Sequence, residues 1–163
     1  MRLQVCGHVV RDPMPLWRQY AGITRARFVS MILVILETRQ PVDDPELHQL
    51  DGARYLRDTQ HADAMLCRLV AHHSCAIIEA DERGLADVVS LEFEPAPDVL
   101  SSVLTCCDMT ASPDGQPVSV EQRLAEIHDR YGPGHLVSRS IQRATPMILC
   151  AVEQVQDRTA RTA

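Results

Sequence analysis

The stretch 66-LCRLVAHHSCA-76 shows the helical spacing that runs through most of this chain. Leu66 and Leu69 are three residues apart, which places them on one face of an α-helix. His73 follows Leu69 by four residues and falls on the same face, where we expect a buried imidazole with a partner for each ring nitrogen. His72 points about 100° away. Two imidazoles at one helix end therefore need two separate sets of partners.

Similar spacing on both sides of this stretch predicts an all-α fold. Ser119 and Gln122 form a capping-box pattern at the start of one helix, whereas Gly84 weakens another. The short run 90-SLEFE-94 is the only strand candidate. The predicted helices cover about 25–38, 46–58, 61–74, 76–89, 97–110, 119–132 and 135–156.

Length and composition predict one domain with an aliphatic core. The chain has 163 residues, of which 45% are hydrophobic and only 4% aromatic, which suits one compact helical core and not two. We expect a single-domain helical bundle in three parts. These are an atypical N-terminal segment over 1–44 with one apolar helix, a helical domain over 45–156, and a disordered tail over 157–163.

Charge and cysteine content limit the classes of partner. The net charge is −6 and no basic run is interleaved with aromatic residues, so we expect no binding to duplex nucleic acid. A small phosphorylated molecule stays possible, because local arginines or a bound cation can reverse the local field.

The apolar run 28-FVSMILVIL-36 is too short to cross a bilayer. The six cysteines form no CxxC pair, which favours reduced thiols in the cytoplasm.

Asp108 is the most informative single residue, because it follows Leu104 by four residues on a face predicted to be buried. A carboxylate there is costly unless it is paired, hydrogen-bonded or bound to a metal. Taken alone, a structural ion pair or a helix cap explains Asp108 better than a metal does. Taken alone, His48 is likewise better explained as a surface or satisfied core histidine.

Together these residues favour a metal site. His48, the pair His72 and His73, and Asp108 bring imidazoles and a carboxylate from three predicted helices. Two imidazoles and one carboxylate can bind Fe, Mn, Zn or Co and leave coordination positions open. Metal-assisted hydrolysis is therefore a serious hypothesis.

The runs 47-LHQLDGARYLR-57, 70-VAHHS-74 and 104-LTCCDMTASPDGQPVSVEQRLAEI-127 resemble the central and C-terminal parts of the HD-domain superfamily of metal-dependent phosphohydrolases. The similarity is closest to small bacterial stand-alone members and covers roughly residues 45–145. The resemblance implies an all-α bundle whose metals are held by histidines and aspartates on separate helices. It also implies hydrolysis of phosphate esters, often of nucleotides.

Carried over position by position, the resemblance assigns four metal ligands. His48 matches the histidine that opens the HxxxGA-type helix, and the pair His72 and His73 matches the later histidine motif. Asp108 matches the final aspartate ligand. The resemblance therefore implies a divalent ion, Fe, Mn or Zn, held by these side chains.

The chain departs from the family upstream of His48. The family is named for an adjacent His-Asp dyad on an earlier helix, and here His8 is the only upstream histidine. Three explanations stay open, and we favour the first, in which residues 1–44 replace the family's first helices and leave one ion or none. Alternatively, His8 with Asp12, or Glu37, supplies ligands in an altered geometry, or the natural chain starts elsewhere.

The sequence thus predicts an HD-domain-like protein related to metal-dependent phosphohydrolases, a hydrolase if it is active, with an incomplete metal site. Its expected partner is a small phosphorylated molecule or a nucleotide. The alternative is a catalytically inactive helical domain that binds a nucleotide or a protein. Its former active-site pocket would then contribute only a binding surface. An exposed apolar patch would favour that alternative.

Overall fold

The computed structural model describes the backbone of residues 4–5 and 8–9, and the chain over 47–112 and 116–161. Two short strands, β1 (Gln4–Val5) and β2 (His8–Val9), pair antiparallel, with Gln4 opposite Val9. The predicted apolar helix over 25–38 lies outside the described residues.

From residue 47 onward the described chain is helical, which confirms the all-α prediction for that part of the molecule. Seven α-helices and one 3₁₀ turn follow one another along it. In chain order they are α1 (His48–Asp58), α2 (Ala64–His72), the 3₁₀ turn η1 (His73–Cys75), α3 (Ala76–Glu82), α4 (Ala86–Glu92), α5 (Asp98–Met109), α6 (Val120–Tyr131) and α7 (Leu136–Arg161).

Side-chain caps fix the starts of two helices. The carboxylate of Asp63 accepts a hydrogen bond from the backbone of Leu66 at 3.0 Å and opens α2. At α6 the predicted capping box is confirmed, because Ser119 accepts from the backbone of Gln122 at 3.2 Å and the Gln122 amide oxygen accepts in return at 2.8 Å.

The helix predicted over 76–89 is wrong in extent, because the chain breaks at Gly84 into α3 and α4. Gly84 has φ +71°, a left-handed conformation that glycine adopts without a side-chain clash. Its N–H donates to Asp81 at 3.0 Å, and the N–H of Leu85 donates to Ala80 at 2.7 Å. These two bonds form a Schellman motif, the usual glycine-based helix end.

The run 90–94, the only strand candidate in the sequence, does not form a strand. Its first three residues complete α4, which buries Val89 and ends at Glu92. The N–H of Phe93 still donates to the carbonyl of Val89 at 2.9 Å, so the helical bonding pattern extends one residue further. The isolated run of alternating residues carried too little information to override the helix that starts upstream.

Two apolar clusters form the core, and both are almost entirely aliphatic, as predicted. The first cluster joins α1, α2, α3, α4 and part of α5, and comprises Leu47, Leu50, Ala53, Leu56, Leu66, Cys67, Leu69, Val70, Ala71, Ala80, Val89, Phe93, Ala96, Leu100, Val103 and Leu104. The second cluster joins the end of α5 to α6 and α7, and comprises Cys106, Met109, Val120, Ile127, Ala144, Ile148 and Val152. The turn η1 lies where they meet, because it packs against both α5 and α7.

The last helix extends further than the sequence predicts. Helix α7 continues to Arg161 and so includes residues 157–161, most of the tail predicted to be disordered. Arg161 pairs with Asp157 one turn earlier at 3.7 Å, and the hydroxyl of Thr159 donates to the Val155 carbonyl at 3.0 Å. Basic side chains in the last turn also interact favourably with the helix dipole. In the described ranges, no helix is both long enough and apolar enough to span a membrane.

Candidate functional site

The turn between α2 and α3 brings the histidine pair to the junction of the two core clusters. Helix α2 ends at His72, and His73 adopts an extended conformation with ψ 150°. Ser74 and Cys75 then both take the left-handed conformation, with φ 49° and φ 61°. Non-glycine residues seldom occupy this region, and such residues cluster at functional sites. This turn therefore deserves a functional explanation.

His73 is buried, as the sequence predicts, with 3% of its surface exposed. Its Nδ1 lies 2.7 Å from the carbonyl oxygen of Val70. Because a carbonyl can only accept, Nδ1 donates, and the neutral ring then has its lone pair on Nε2. This is the arrangement that orients metal-binding imidazoles in many proteins.

His48 lies beside His73 although 25 residues separate them in sequence. It is the first residue of α1 and is half-buried. The two ring centres are 5.8 Å apart and the ring planes meet at 71°, an edge-to-face contact. The structure therefore brings together two of the four predicted ligands, from two different helices.

His72 is directed elsewhere. Its Nε2 lies 2.7 Å from the carbonyl oxygen of Phe93, so this ring ties the end of α2 to the residue that follows α4. A hydrogen bond to a backbone carbonyl is the purely structural role that the sequence leaves open for a helix-end histidine. The adjacent histidines thus serve two different faces, as the angle of about 100° between neighbouring helical residues requires.

Asp108 lies in the last turn of α5 and is half-buried, at the edge of the buried face and not within it. Leu104 and Met109, on the same helix, are fully buried. The Oδ2 of Asp108 accepts a hydrogen bond from the hydroxyl of Ser74 at 2.5 Å. The carboxylate therefore contacts the residue that follows His73, and so approaches the histidine pair through an intervening serine.

A second buried polar contact at this corner was missed by the sequence analysis. The Nε2 of Gln49 donates to Glu79 on α3 at 3.3 Å, and both side chains are buried. Glu79 also accepts from Arg83 at 2.8 Å. Glu79 follows Ala76 by three residues, and Ala76 is also buried. The spacing that drew attention to Asp108 could have identified this inward carboxylate as well.

The surroundings of the thiols near the site favour the protonated form. Burial raises the pKa of the Cys75 thiol above its ordinary value. Burial, with smaller effects from Cys106 and Asp108, raises the pKa of the Cys107 thiol even further. Both thiols are therefore protonated at pH 7 unless a bound metal displaces the proton. Cys106 belongs to the second core cluster, which fits its expected role as a small hydrophobe.

The four predicted ligands do not converge on one point. Over the described ranges 47–112 and 116–161, no group of three or more histidine, cysteine, aspartate or glutamate side chains is placed to hold a metal ion. His8, Asp12 and Glu37, the alternative ligands, have side chains outside the described part of the chain. The structure shows the His48 and His73 rings in contact with each other. The Asp108 carboxylate bonds to Ser74, the residue that follows His73.

Comparison with known proteins adds no assignment: no family model, curated protein or solved structure matches this chain. The HD-domain resemblance and its four ligands therefore stay predictions.

Proposed function

We propose that this chain is an HD-domain-like protein related to metal-dependent phosphohydrolases that act on phosphate esters or nucleotides, and that its metal site is incomplete. His48 and His73 are the ligands that remain, for one divalent ion of Fe, Mn or Zn. The observation that supports this proposal is the contact between these two rings, which come from different helices and lie 5.8 Å apart.

The separation of the two ring centres is compatible with shared coordination. Zinc binds imidazole nitrogen at about 2.1 Å in tetrahedral geometry, which puts two bound rings roughly 5 Å apart between centres. The observed separation of 5.8 Å is close to that value. The Nδ1 of His73 also donates to the Val70 carbonyl, and in a neutral ring this bond places the lone pair on Nε2.

The contacts of the other two predicted ligands support an incomplete site. His72 bonds the Phe93 carbonyl and Asp108 bonds Ser74, so both side chains have structural roles. Two protein ligands leave several positions for water and a phosphate oxygen. A bound ion would polarise the phosphoryl group and lower the pKa of a bound water. His48 and His73 would hold and orient it.

Phosphatase assays test the active form of this proposal. The purified protein is incubated with p-nitrophenyl phosphate and with nucleoside phosphates, in the presence of added Mn²⁺, Fe²⁺ or Zn²⁺. We expect metal-dependent hydrolysis that falls at least tenfold in both His48→Ala and His73→Ala, while the matched variant His61→Asn keeps it. His61 is an exposed loop histidine with φ 48°, a conformation that asparagine tolerates. Equal rates in all four proteins would contradict the proposal.

A second candidate function, protein binding by a catalytically inactive domain, is favoured by one observation. On α4, Leu91 is 89% exposed and Val88, one turn earlier on the same face, is also exposed. Large apolar side chains exposed together can mark an interaction surface. Light scattering over a range of protein concentrations tests this alternative. Association that Leu91→Glu abolishes would support it, and a monomer at every concentration would count against it.

A further inference from the structure

The outward face of α7 carries apolar side chains at its middle. The helix packs against α3, α5 and α6, and the residues that it buries include Ala144, Ile148 and Val152. Away from these contacts, Met147 is 47% exposed and Leu149 is 39% exposed. Pro146 and Cys150 lie beside them and are also exposed. Large apolar side chains exposed together can mark an interaction surface, so this face of α7 is a candidate contact surface.

Charged side chains of opposite sign flank this apolar middle. Arg139 and Arg143 lie on its N-terminal side, and Glu153 and Asp157 lie on its C-terminal side. All four are exposed. The spacing between successive outward residues alternates between four and three, as it does between the contact positions of a coiled coil. We call this set the α7 seam; it comprises Arg139, Arg143, Pro146, Cys150, Glu153 and Asp157.

The order of charges along the α7 seam is self-complementary when two copies run antiparallel. With a two-fold axis level with Ile148, Arg143 of each copy faces Glu153 of the other, because both positions lie equally far from Ile148. In the same register, Arg139 faces Asp157. A parallel pairing would instead place arginine against arginine and carboxylate against carboxylate, which is unfavourable. The charge pattern therefore favours a second, antiparallel copy of this chain as the occupant.

The arginines of the α7 seam are held in place within each copy. Arg143 donates to Asp81 at 2.9 Å and to Glu82 at 2.7 Å, and Arg139 donates to Glu82 at 3.1 Å. Both arginine side chains are nevertheless 49% exposed, and a guanidinium has five N–H donors. Side chains that are already ordered lose less conformational entropy on association. Each guanidinium can therefore also bind a carboxylate of the second copy.

We infer that two copies of this chain form a homodimer through the α7 seam, with their α7 helices antiparallel. Pro146 of each copy then faces Cys150 of the other at the apolar centre, beside Met147. Because this centre is small, we expect a reversible dimer with a dissociation constant on the order of 1–100 µM. The inference is independent of the proposed histidine site.

Sedimentation equilibrium of the full chain over a range of concentrations measures the association. Glu153→Arg/Asp157→Arg places arginine against arginine and should weaken the dimer at least about tenfold. Pro146 lies inside α7 and a proline bends a helix, so the contact is closest at its centre and Glu153→Arg alone should weaken it more than Asp157→Arg alone.

A matched control separates the position of the charges from their number. Asp87→Arg/Asp129→Arg makes the same change in net charge as Glu153→Arg/Asp157→Arg, at exposed positions on α4 and α6. It should leave the dissociation constant of the dimer within about twofold of wild type.

A mixture of complementary variants tests the antiparallel pairing. Arg139→Glu/Arg143→Glu makes the α7 seam acidic throughout, whereas Glu153→Arg/Asp157→Arg makes it basic throughout. Each variant should be mostly monomeric alone, and an equimolar mixture should form a heterodimer. Should the acidic variant fail to fold because it loses the ion pairs to α3, Met147→Glu takes its place. A carboxylate at the exposed apolar centre should weaken the dimer at least about tenfold.

Several results would overturn the inference. Wild type that stays monomeric up to about 500 µM excludes the dimer. Association that Glu153→Arg/Asp157→Arg leaves unchanged but Leu91→Glu abolishes would make α4, and not α7, the contact surface. If the two folded seam variants are monomeric alone and also when mixed, the antiparallel pairing is wrong.

Discussion

The chain reverses direction twice within a dozen residues, and the two corners are built differently. The corner between α2 and α3 uses two non-glycine residues, Ser74 and Cys75, in the left-handed conformation. The corner between α3 and α4 uses Gly84 for the same conformation, with open space where a Cβ would lie. A glycine makes such a corner at little conformational cost in the folded state, whereas side chains make it at a cost of roughly 1–2 kcal/mol each.

The contacts that hold the two corners also differ. The first corner is held by bonds of buried or half-buried groups, from His73 to Val70 and from Ser74 to Asp108. Beyond the second corner, α4 is attached to α1 through ion pairs of Glu92 with Arg54 and Arg57, both at 2.7 Å and all partly exposed. The strained corner is thus held by the more buried contacts, and it is the one that carries the histidine pair. Backbone strain that persists beside paired imidazoles is the pattern expected of a functional site.

The largest effect on stability is expected from Glu79→Ala near the first corner. Glu79 is buried and accepts from Gln49 and Arg83, so its removal leaves two polar side chains without their acceptor. We expect the free energy of unfolding in urea to fall by about 3 kcal/mol. Glu153→Ala, an exposed glutamate on α7, should change it by less than about 0.5 kcal/mol. A loss below about 1 kcal/mol would mean that the buried bonds of Glu79 contribute little to stability.

A smaller effect is expected at the second corner from Gly84→Ala. The added Cβ meets no atom within 4 Å, so the cost comes only from the φ of +71°. We expect the free energy of unfolding to fall by about 1–2 kcal/mol in urea titrations. Gly134→Ala is the matched control, because its φ is not left-handed and its Cβ would also meet open space. If both substitutions have the same effect, the second corner does not depend on its glycine.

The smallest effect concerns the ion pairs of α4 and appears as a dependence on pH. Hydrogen bonds from Arg54, and then from Arg57, hold the pKa of Glu92 below its ordinary value of 4.5. The stabilisation is therefore fully present above pH 4.5 and is lost as the pH falls through the lowered pKa. Arg54→Gln should flatten the fall in stability below that pH and cost roughly 0.2–1 kcal/mol at neutral pH. Urea titrations at successive pH values measure both the pH dependence and the loss at neutral pH. Parallel plots of unfolding free energy against pH for wild type and Arg54→Gln would rule out this linkage.

The sequence identifies most helices because their signals are local. The capping box at Ser119 and the apolar spacing of α5 both lie within a few residues, and the structure confirms both helices. The break at Gly84 was underestimated, because a glycine inside a helical pattern can be tolerated or can end the helix. Which outcome occurs depends on the Schellman bonds and on what the next helix packs against.

The candidate site was predicted only in part, and the reason is its tertiary origin. Helical spacing correctly predicts that His73 is buried and that His72 points elsewhere. It does not predict that η1 interrupts the helix there, because contacts of this turn such as the bond from Ser74 to Asp108 join residues 34 apart in sequence. The contact between Gln49 and Glu79 depends in the same way on how α1 meets α3.

The most direct test of the central claim is the metal content of the purified protein, measured by mass spectrometry on wild type, His73→Ala and His61→Asn. The proposed site predicts about one ion of Fe, Mn or Zn per chain in wild type and in His61→Asn, and its loss in His73→Ala. If wild type contains no such ion, even when purified from medium supplemented with all three metals, His48 and His73 do not form a metal site and the proposed function is wrong.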